Sequence, residues 1–182
     1  MRAFLIIAVC AALSSCAQTV SSIKSDVGKD LEADRGYLLM AIATTESLEK
    51  LRISGERTLE FSAADLRRGS RYLLIEVPAG HYEIEQIRFS SWYQYDLNSD
   101  YWQFSVDAGK VSYVGELEIF TSGFRIKRNG LKLVNRSSYA LEFMQEHFPN
   151  ILAHNTISYR GPGEDGFLDY VNSTSFAQQQ EK

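Results

Sequence analysis

Few residues of this sequence stand at spacings that would support catalysis or metal binding. The three histidines, His81, His147 and His154, form neither an HExxH pair nor another close metal-ligand spacing. No Gly-x-Ser-x-Gly sequence is present to hold a serine nucleophile. The scattered aspartates and glutamates cannot be paired across a fold from their order in the chain. We therefore predict no catalytic residue, no metal ion and no cofactor.

Two segments match the sequence motif of a ligand-binding loop but lack other features that such a loop requires. Residues 161–166 match a dinucleotide fingerprint, but their two acidic residues would repel a pyrophosphate and Pro162 lacks a backbone donor. Residues 96–107 begin like a calcium loop, but Tyr101 stands at the sixth position, where glycine is required. The chain from Trp102 onward also alternates like a strand. We interpret both segments as solvated loops.

The thiol of Cys16 is the group whose surroundings are most informative. Arg2 gives a basic start, residues 4–13 are apolar, and Leu-Ser-Ser precedes the cysteine. This pattern resembles the signal peptide of bacterial lipoproteins. The resemblance implies that residues 1–15 are removed and that Cys16 becomes the mature N-terminus, carrying fatty acids such as palmitate. A membrane-spanning helix would need about 20 apolar residues. A soluble secretory signal cut near residues 10–12 is the alternative.

Acylation of Cys16 would also predict where the protein resides and what it meets. In lipoproteins an aspartate after the cysteine favours the inner membrane, and here Ala17 follows, so the resemblance implies the outer membrane, facing the periplasm. Cys10 would leave with the signal peptide, so no disulfide is expected. The formal net charge of −4 disfavours nucleic acid as a partner. The expected partners are the membrane, through the lipid on Cys16, and an envelope protein or glycan.

A dense group of aromatic residues provides the first predicted contact surface. The group surrounds a polar tip at residues 96–100 and consists of Trp92, Tyr93, Tyr95, Tyr101 and Trp102. Rings that also carry polar atoms are common where proteins bind glycans or other proteins. Burial of these rings in the core of a sheet is the alternative interpretation.

Three cations provide a second predicted contact, for an anion. Asn129 and Gly130 form the dipeptide most typical of a type I′ hairpin turn. Such a turn would place Lys127 opposite Lys132, with Arg125 on the same face, and like charges directly opposed are unfavourable. An anionic lipid headgroup or a glycan phosphate would relieve this repulsion, whereas a solvated face is the alternative.

The elements that position these residues begin with a polar stretch. Residues 17–35 contain no aromatic residue and only one glycine, so residues 16–35 are predicted to be the lipidated cysteine and a flexible tether, about 25 Å long on average. Ile23, Val27 and Leu31 recur at every fourth position, so a short amphipathic helix is the alternative.

A β domain is predicted to follow, over residues 36–160. Residues 37–42 are continuously apolar, which is typical of a central strand covered on both faces. A hairpin or tight corner is expected at residues 77–80. A one-residue bulge near Glu85 and Gln86 would reconcile the alternation of the strand that follows.

The remaining elements complete the predicted fold. A turn at residues 107–110 is predicted to join two paired strands. A helix is predicted near residues 138–148, begun by Ser137 or Ser138 and stopped by Pro149. Residues 161–182 are predicted to be a C-terminal loop and tail. The fold class is thus mainly β, a β-sandwich of about eight short strands with one C-terminal α-helix packed on it.

Two turn motifs extend the resemblance from the leader to the domain. Residues 77–84 contain Pro-x-Gly-x-Tyr, and residues 104–115 contain Gly-Lys-x-x-Tyr-x-Gly. Both resemble corners of the small transthyretin-like or carboxypeptidase-regulatory-like sandwiches found in bacterial lipoproteins. The resemblance covers about half of the domain, rests on turn chemistry and implies a β-sandwich without catalysis.

The sequence as a whole therefore predicts an envelope-anchored lipoprotein that acts as a non-catalytic binding or structural module. One alternative is an accessory subunit of a cell-envelope protein assembly. The other is a hydrolase acting on envelope material.

Overall fold

The computed structural model describes residues 17–122 and 128–180, which contain eleven strands and three α-helices. In chain order the strands are β1 (Gln18–Val20), β2 (Arg35–Thr44), β3 (Lys50–Gly55), β4 (Leu59–Ser62), β5 (Gly69–Pro78), β6 (Gly80–Ser90), β7 (Tyr93–Asp96), β8 (Gln103–Val106), β9 (Val111–Ser122), β10 (Arg128–Val134) and β11 (Ile157–Tyr159). The helices are α1 (Ser137–His147), α2 (Pro149–His154) and α3 (Gly166–Gln180).

The strands form two sheets, so the predicted mainly β sandwich is confirmed. Sheet A has the order β1-β4-β3-β6, and both β7 and β8 pair with β6 at different levels. Sheet B has the order β10-β9-β2-β5, with β11 also pairing with β9. The helices lie on the face of sheet B that points away from sheet A, as their shared core residues show.

Strand β2 explains why its sequence is apolar without interruption. Leu38 and Ile42 point between the two sheets, where they join the larger core cluster. Tyr37 and Leu39 point to the other face of sheet B and pack with Met144 of α1 in the second cluster. The prediction of a central strand covered on both faces is therefore confirmed.

The bulge predicted in β6 is also present. Arg52 of β3 pairs with Gln86, and the next residue, Ile53, pairs with Ile84, so Glu85 is the additional residue. This shift lets Ile84 and Ile87 both reach the core between the sheets, although their positions have opposite parity in the sequence.

The two turns that carry the family resemblance join one sheet to the other. Residues 77–80 lead from β5 in sheet B to β6 in sheet A, which makes them a corner, and the Tyr82 hydroxyl donates to the Pro78 carbonyl at 2.8 Å. The predicted pairing across residues 107–110 is wrong, because β8 pairs with β6 whereas β9 pairs with β2. Alternating apolar residues on both sides of a turn fit a change of sheet as well as a hairpin.

The prediction of a flexible tether fails once β1 begins. Strand β1 pairs with β4, and the connecting segment, residues 21–34, then runs along the edge of β5 without forming a helix. The Ile23 amide donates to the Leu74 carbonyl at 2.7 Å, and the Ser22 hydroxyl accepts from the Leu74 amide at 3.1 Å. Polar side chains of this segment form hydrogen bonds with backbone groups of the domain that no neighbouring strand pairs. Their polarity therefore did not indicate exposure to solvent.

The predicted turn at Asn129 and Gly130 is wrong as well. Both residues lie inside β10, where they face Thr121 and Phe120 of β9. Residues 123–127, which connect the two strands in the sequence, lie outside the described residues. A side-chain carbon at Gly130 would lie 1.9 Å from Cζ of Phe120, so the absence of a side chain at Gly130 leaves the space that the Phe120 ring occupies.

The C-terminal part contains more structure than the single predicted helix. The position of helix α1 matches that prediction, but the predicted serine cap is wrong, because Arg136 precedes the first turn and its side chain forms no capping hydrogen bond. Pro149 opens α2 as well as closing α1. Most of the predicted loop and tail forms α3, whose Leu168 is fully buried against sheet B. Among residues 166–174 only Leu168 is buried, so the hydrophobic periodicity of this part of α3 was too weak to predict a helix.

Candidate functional site

The predicted aromatic surface divides into a structural part and an exposed part. Trp102 is only 9% exposed and belongs to the core between the sheets. Tyr101 packs edge-on against it, with ring centroids 4.9 Å apart. The Tyr101 hydroxyl donates to the Leu133 carbonyl at 2.7 Å and accepts from the Leu133 amide at 3.1 Å. These two residues therefore fasten the edge of β10 to sheet A.

The exposed part lies at the hairpin between β6 and β7 and is called the aromatic end. It consists of Phe89, Trp92, Tyr93 and Tyr95. Ser90 pairs with Tyr93, so Trp92 stands in the two-residue turn, where it is 94% exposed. The tight turn and the paired strands on both sides of it fix the backbone of Trp92 and direct its side chain to the surface.

The other rings of the aromatic end form a connected base. Phe89 packs against the core, and its ring centroid lies 5.3 Å from that of Tyr93 and 5.9 Å from that of Tyr95. The Tyr93 hydroxyl donates to the Tyr95 hydroxyl at 2.7 Å. Because Phe89 is anchored in the core, the two tyrosines are oriented before any ligand arrives.

Amide and carboxylate groups occupy the other face of the same hairpin. Strand alternation separates Gln94 and Asp96 from the two tyrosines. The Gln86 amide donates to Asp96 Oδ1 at 2.8 Å, and Gln94 Nε2 lies 3.3 Å from both Asp96 oxygens. The aromatic end thus offers rings that carry phenol hydroxyls, a combination suited to a glycan or a protein surface, while the amide and carboxylate groups lie on the opposite face of the hairpin.

Sequence reasoning identified Trp92, Tyr93 and Tyr95 but missed Phe89 and the amide and carboxylate groups opposite. The alternation of tyrosine with glutamine and aspartate over β7 was the available indication. It shows a strand with one aromatic and one polar face.

The predicted anion contact is not assembled in the described part of the chain. Lys132 lies opposite Glu118, and its Nζ is 5.9 Å from the centre of the Phe120 ring. The expected repulsion between Lys127 and Lys132 depended on the wrong turn and therefore loses its basis. Arg125 and Lys127 lie outside the described residues.

The histidines do not meet. His81 lines a surface groove with Glu83 and Arg160, whose guanidinium Nε lies 2.7 Å from an Asp107 carboxylate oxygen. His147 and His154 stand on α1 and α2. In residues 17–122 and 128–180, no three histidine, cysteine, aspartate or glutamate side chains are grouped as a metal ion requires.

Two of the buried phenols serve as structural donors. Burial raises the pKa of Tyr82 and of Tyr159 to about 12 and raises the pKa of Tyr113 as well. Tyr159 donates to the Pro162 carbonyl at 2.8 Å, much as Tyr82 does to Pro78, and these two hydroxyls fix loops. All three phenols stay protonated at neutral pH and offer no base.

Comparisons with protein-family models, with curated proteins and with solved structures found no match. Among the helices of the described residues, none combines the length and the apolar character needed to cross a membrane.

Proposed function

We propose that this protein is an envelope lipoprotein, anchored through lipid on Cys16, that binds a partner with its aromatic end and carries out no catalysis. The anchor rests on the leader sequence, in which Leu-Ser-Ser precedes Cys16 after an apolar run. Ala17 after the cysteine favours the outer membrane, facing the periplasm. The binding role rests on the surface of the folded domain.

The exposure of Trp92 is the observation that carries the binding role. Its side chain is 94% exposed, although tryptophan has the largest apolar surface to bury. Single exposed apolar residues are common on proteins. Here Trp92 directly precedes Tyr93, which packs with Phe89 and Tyr95, so the exposed indole stands next to a packed group of rings.

The partner is a glycan or another envelope protein, and these two use the same rings differently. A glycan would stack on an exposed aromatic face and bond to the phenol oxygens of the aromatic end. A protein would enclose Trp92 as a buried anchor, as expected for an accessory subunit of an envelope assembly.

The anchor is tested by mass spectrometry of the N-terminal peptide of the protein purified from envelopes. We expect the peptide to begin at Cys16 with covalent lipid, and we expect Cys16→Ser to leave the protein unlipidated and released from membranes. An unmodified thiol, or a peptide that still begins at Met1, would contradict the proposal.

The binding surface is tested by cosedimentation with purified peptidoglycan and by capture from detergent-solubilised envelopes. We expect Trp92→Ala and Tyr93→Ala to weaken one of these interactions by at least tenfold, about 1.4 kcal/mol. Tyr139→Ala is the matched control, because Tyr139 is 59% exposed but lies on α1. Trp102→Ala is unsuitable, since Trp102 belongs to the core. Equal binding by all variants would contradict a role for the aromatic end.

A further inference from the structure

The folded domain begins almost immediately after the proposed lipid anchor. Only Ala17 separates Cys16 from Gln18, the first residue of β1, so the two Cα atoms are at most about 7.6 Å apart. Gln18 is held in place, because its amide donates to the Thr58 carbonyl at 2.9 Å and its strand pairs with β4. An anchor at Cys16 therefore has very little slack.

The register of sheet A shows which end of the sandwich this anchor would hold. Gln18 is level with Leu59, Leu59 with Ile53, and Gly55 with Tyr82. The start of β1, the turn from β3 to β4 and the start of β6 thus lie at one end, which we call the lower end.

The aromatic end lies at the opposite end of sheet A, measured along the direction of its strands. Strand β6 starts beside the lower end at Gly80 and runs for 11 residues to Ser90, directly before the turn that carries Trp92. At about 3.3 Å per residue, this strand places Trp92 about 30 Å from the lower end. The two ends cannot both touch one membrane surface unless the sandwich lies flat on it.

The lower end has the surface chemistry of a headgroup contact. Glu56 and Arg57 in its turn and His81 beside it are exposed and polar. Residues 55–58 and His81 include no large exposed hydrophobic side chain, whereas the exposed side chain of Val27 lines a groove with Gln18 and Thr19 of β1. A polar end held a few ångströms from a lipid anchor rests among headgroups without inserting into the acyl chains.

We infer that the acylated protein stands on the lipid headgroups by its lower end and points its aromatic end away from the membrane. This inference rests on the proposed acylation of Cys16. It adds that the partner of Trp92 is reached at a height of about 30 Å above the anchoring membrane and is not the lipid of that membrane.

The orientation is tested with fluorophores on the acylated full protein in vesicles of phosphatidylethanolamine and phosphatidylglycerol. The sequence has only two cysteines, Cys10 and Cys16, so after processing an introduced cysteine offers the one free thiol. Arg57→Cys places the label at the lower end, and Ser91→Cys places it beside Trp92 without removing that residue. Lipids with a nitroxide on the headgroup act as the quencher.

We expect the label at position 57 to be quenched several-fold more strongly than the label at position 91. A matched variant carries a flexible Gly/Ser spacer of fourteen residues between Cys16 and Ala17, and we expect this spacer to abolish most of the difference, since its reach is about 20 Å. Stronger quenching at position 91, equal quenching at both positions, or no effect of the spacer would overturn the orientation.

The mass of the purified protein separates this failure from a failure of the proposed function. Lipid on Cys16 together with reversed quenching would overturn the orientation and leave the anchor intact. A protein without lipid that does not float with the vesicles would overturn both.

Discussion

At the residue scale, Glu76 joins the connecting segment to sheet B. Its carboxylate lies 2.6 Å from Lys29 Nζ and 2.6 Å from Arg35 Nε. Burial alone raises the pKa of Glu76, but the hydrogen bonds from Lys29 and Arg35 outweigh it and hold that pKa below its ordinary value. The ionised form is therefore favoured in the folded state.

This lowered pKa predicts how stability changes in acid. In the unfolded chain the pKa of a glutamate is about 4.3. The contribution of Glu76 to stability is therefore complete above that pH and is lost as the pH falls towards the folded pKa. Glu76→Gln should lower the free energy of unfolding at pH 7 and flatten its decline below about pH 5. Urea titrations at several pH values measure both effects.

The exposed carboxylate of Glu164 provides the control for this prediction. Glu164→Gln should leave both the stability at pH 7 and its acid dependence close to those of the original protein. If Glu76→Gln behaved in the same way, the ion pairs at Glu76 would have no part in stability.

The different exposure of the two tryptophans could not be predicted from the sequence. Trp92 and Trp102 both stand in a segment rich in tyrosine, yet one is 94% exposed and the other 9%. The difference comes from the turn between β6 and β7, which holds Trp92 outside the sheets, and from the 3-10 turn Asp100–Trp102, which directs Trp102 inward. The turns contain Ser91 and Asp100, which are common turn residues, but such residues do not show whether a neighbouring tryptophan points outward or inward.

At the element scale, strands defined by their own residues were predictable, but their partners were not. The apolar run of β2 and the bulge of β6 follow from local alternation. The pairing of β8 and the position of β10 depend on long-range contacts, which local patterns do not contain. The same limit applies to α2 and α3, which are held by tertiary contacts more than by their own periodicity.

Gly130 provides a test of the register between β9 and β10. Its φ is not positive, so it does not serve as the turn glycine that the sequence suggested. An alanine there would meet the ring of Phe120, which is 42% exposed and therefore has room to move. Gly130→Ala should cost about 1 kcal/mol in the original protein.

Removing the ring should reverse the sign of this effect. In a Phe120→Ala background, Gly130→Ala should stabilise the strand by about 0.5 kcal/mol, because alanine loses less backbone freedom than glycine on folding. Urea denaturation of the four proteins in the cycle measures the coupling. The same cost in both backgrounds would mean that Gly130 is not placed under Phe120.

Helix α2 is held at its start by a residue more than a hundred positions away. The Asp26 carboxylate accepts from the Asn150 amide at 2.7 Å and from the Ile151 amide at 2.9 Å. A helix of six residues gains little from its own hydrogen bonds, so this contact matters to it. Asp26→Ala should cost about 1 kcal/mol, the usual value of a helix N-cap.

Hydrogen exchange should localise the effect of Asp26→Ala to the amides of residues 150 and 151. Asp30→Ala is the matched control, since Asp30 is an exposed aspartate of the same connecting segment. An equal loss of stability in both variants would point to charge alone and would contradict the capping role.

At the scale of the whole molecule, the outer face of sheet A is covered with opposed charges. Lys50 Nζ lies 2.7 Å from Glu60, and Arg88 Nε lies 3.5 Å from Glu49. Such pairs on a solvated face contribute little stability, about 0 to 1 kcal/mol each. Their effect is to keep this face of the sheet polar, in contrast to the exposed rings of the aromatic end.

The N-terminal residues cover one edge of each sheet. Strand β1 covers the edge of β4, and the connecting segment covers the edge of β5 while Ile23 and Leu31 pack on the second core cluster. Strand edges left open are sites of aggregation. Covering these two edges therefore lowers the tendency of the domain to self-associate through them.

Removal of residues 17–31 from the unlipidated protein tests this role. Val20, Ile23 and Leu31 are each partly buried, so we expect a loss of about 3 kcal/mol in the free energy of unfolding, together with self-association through the exposed edges of β4 and β5. Urea denaturation and sedimentation velocity measure the two effects. A protein of the same length, with residues 18–31 replaced by glycine and serine, should lose as much, because the contacts matter and the length does not. A flexible tether would instead leave both proteins as stable and as monomeric as the original.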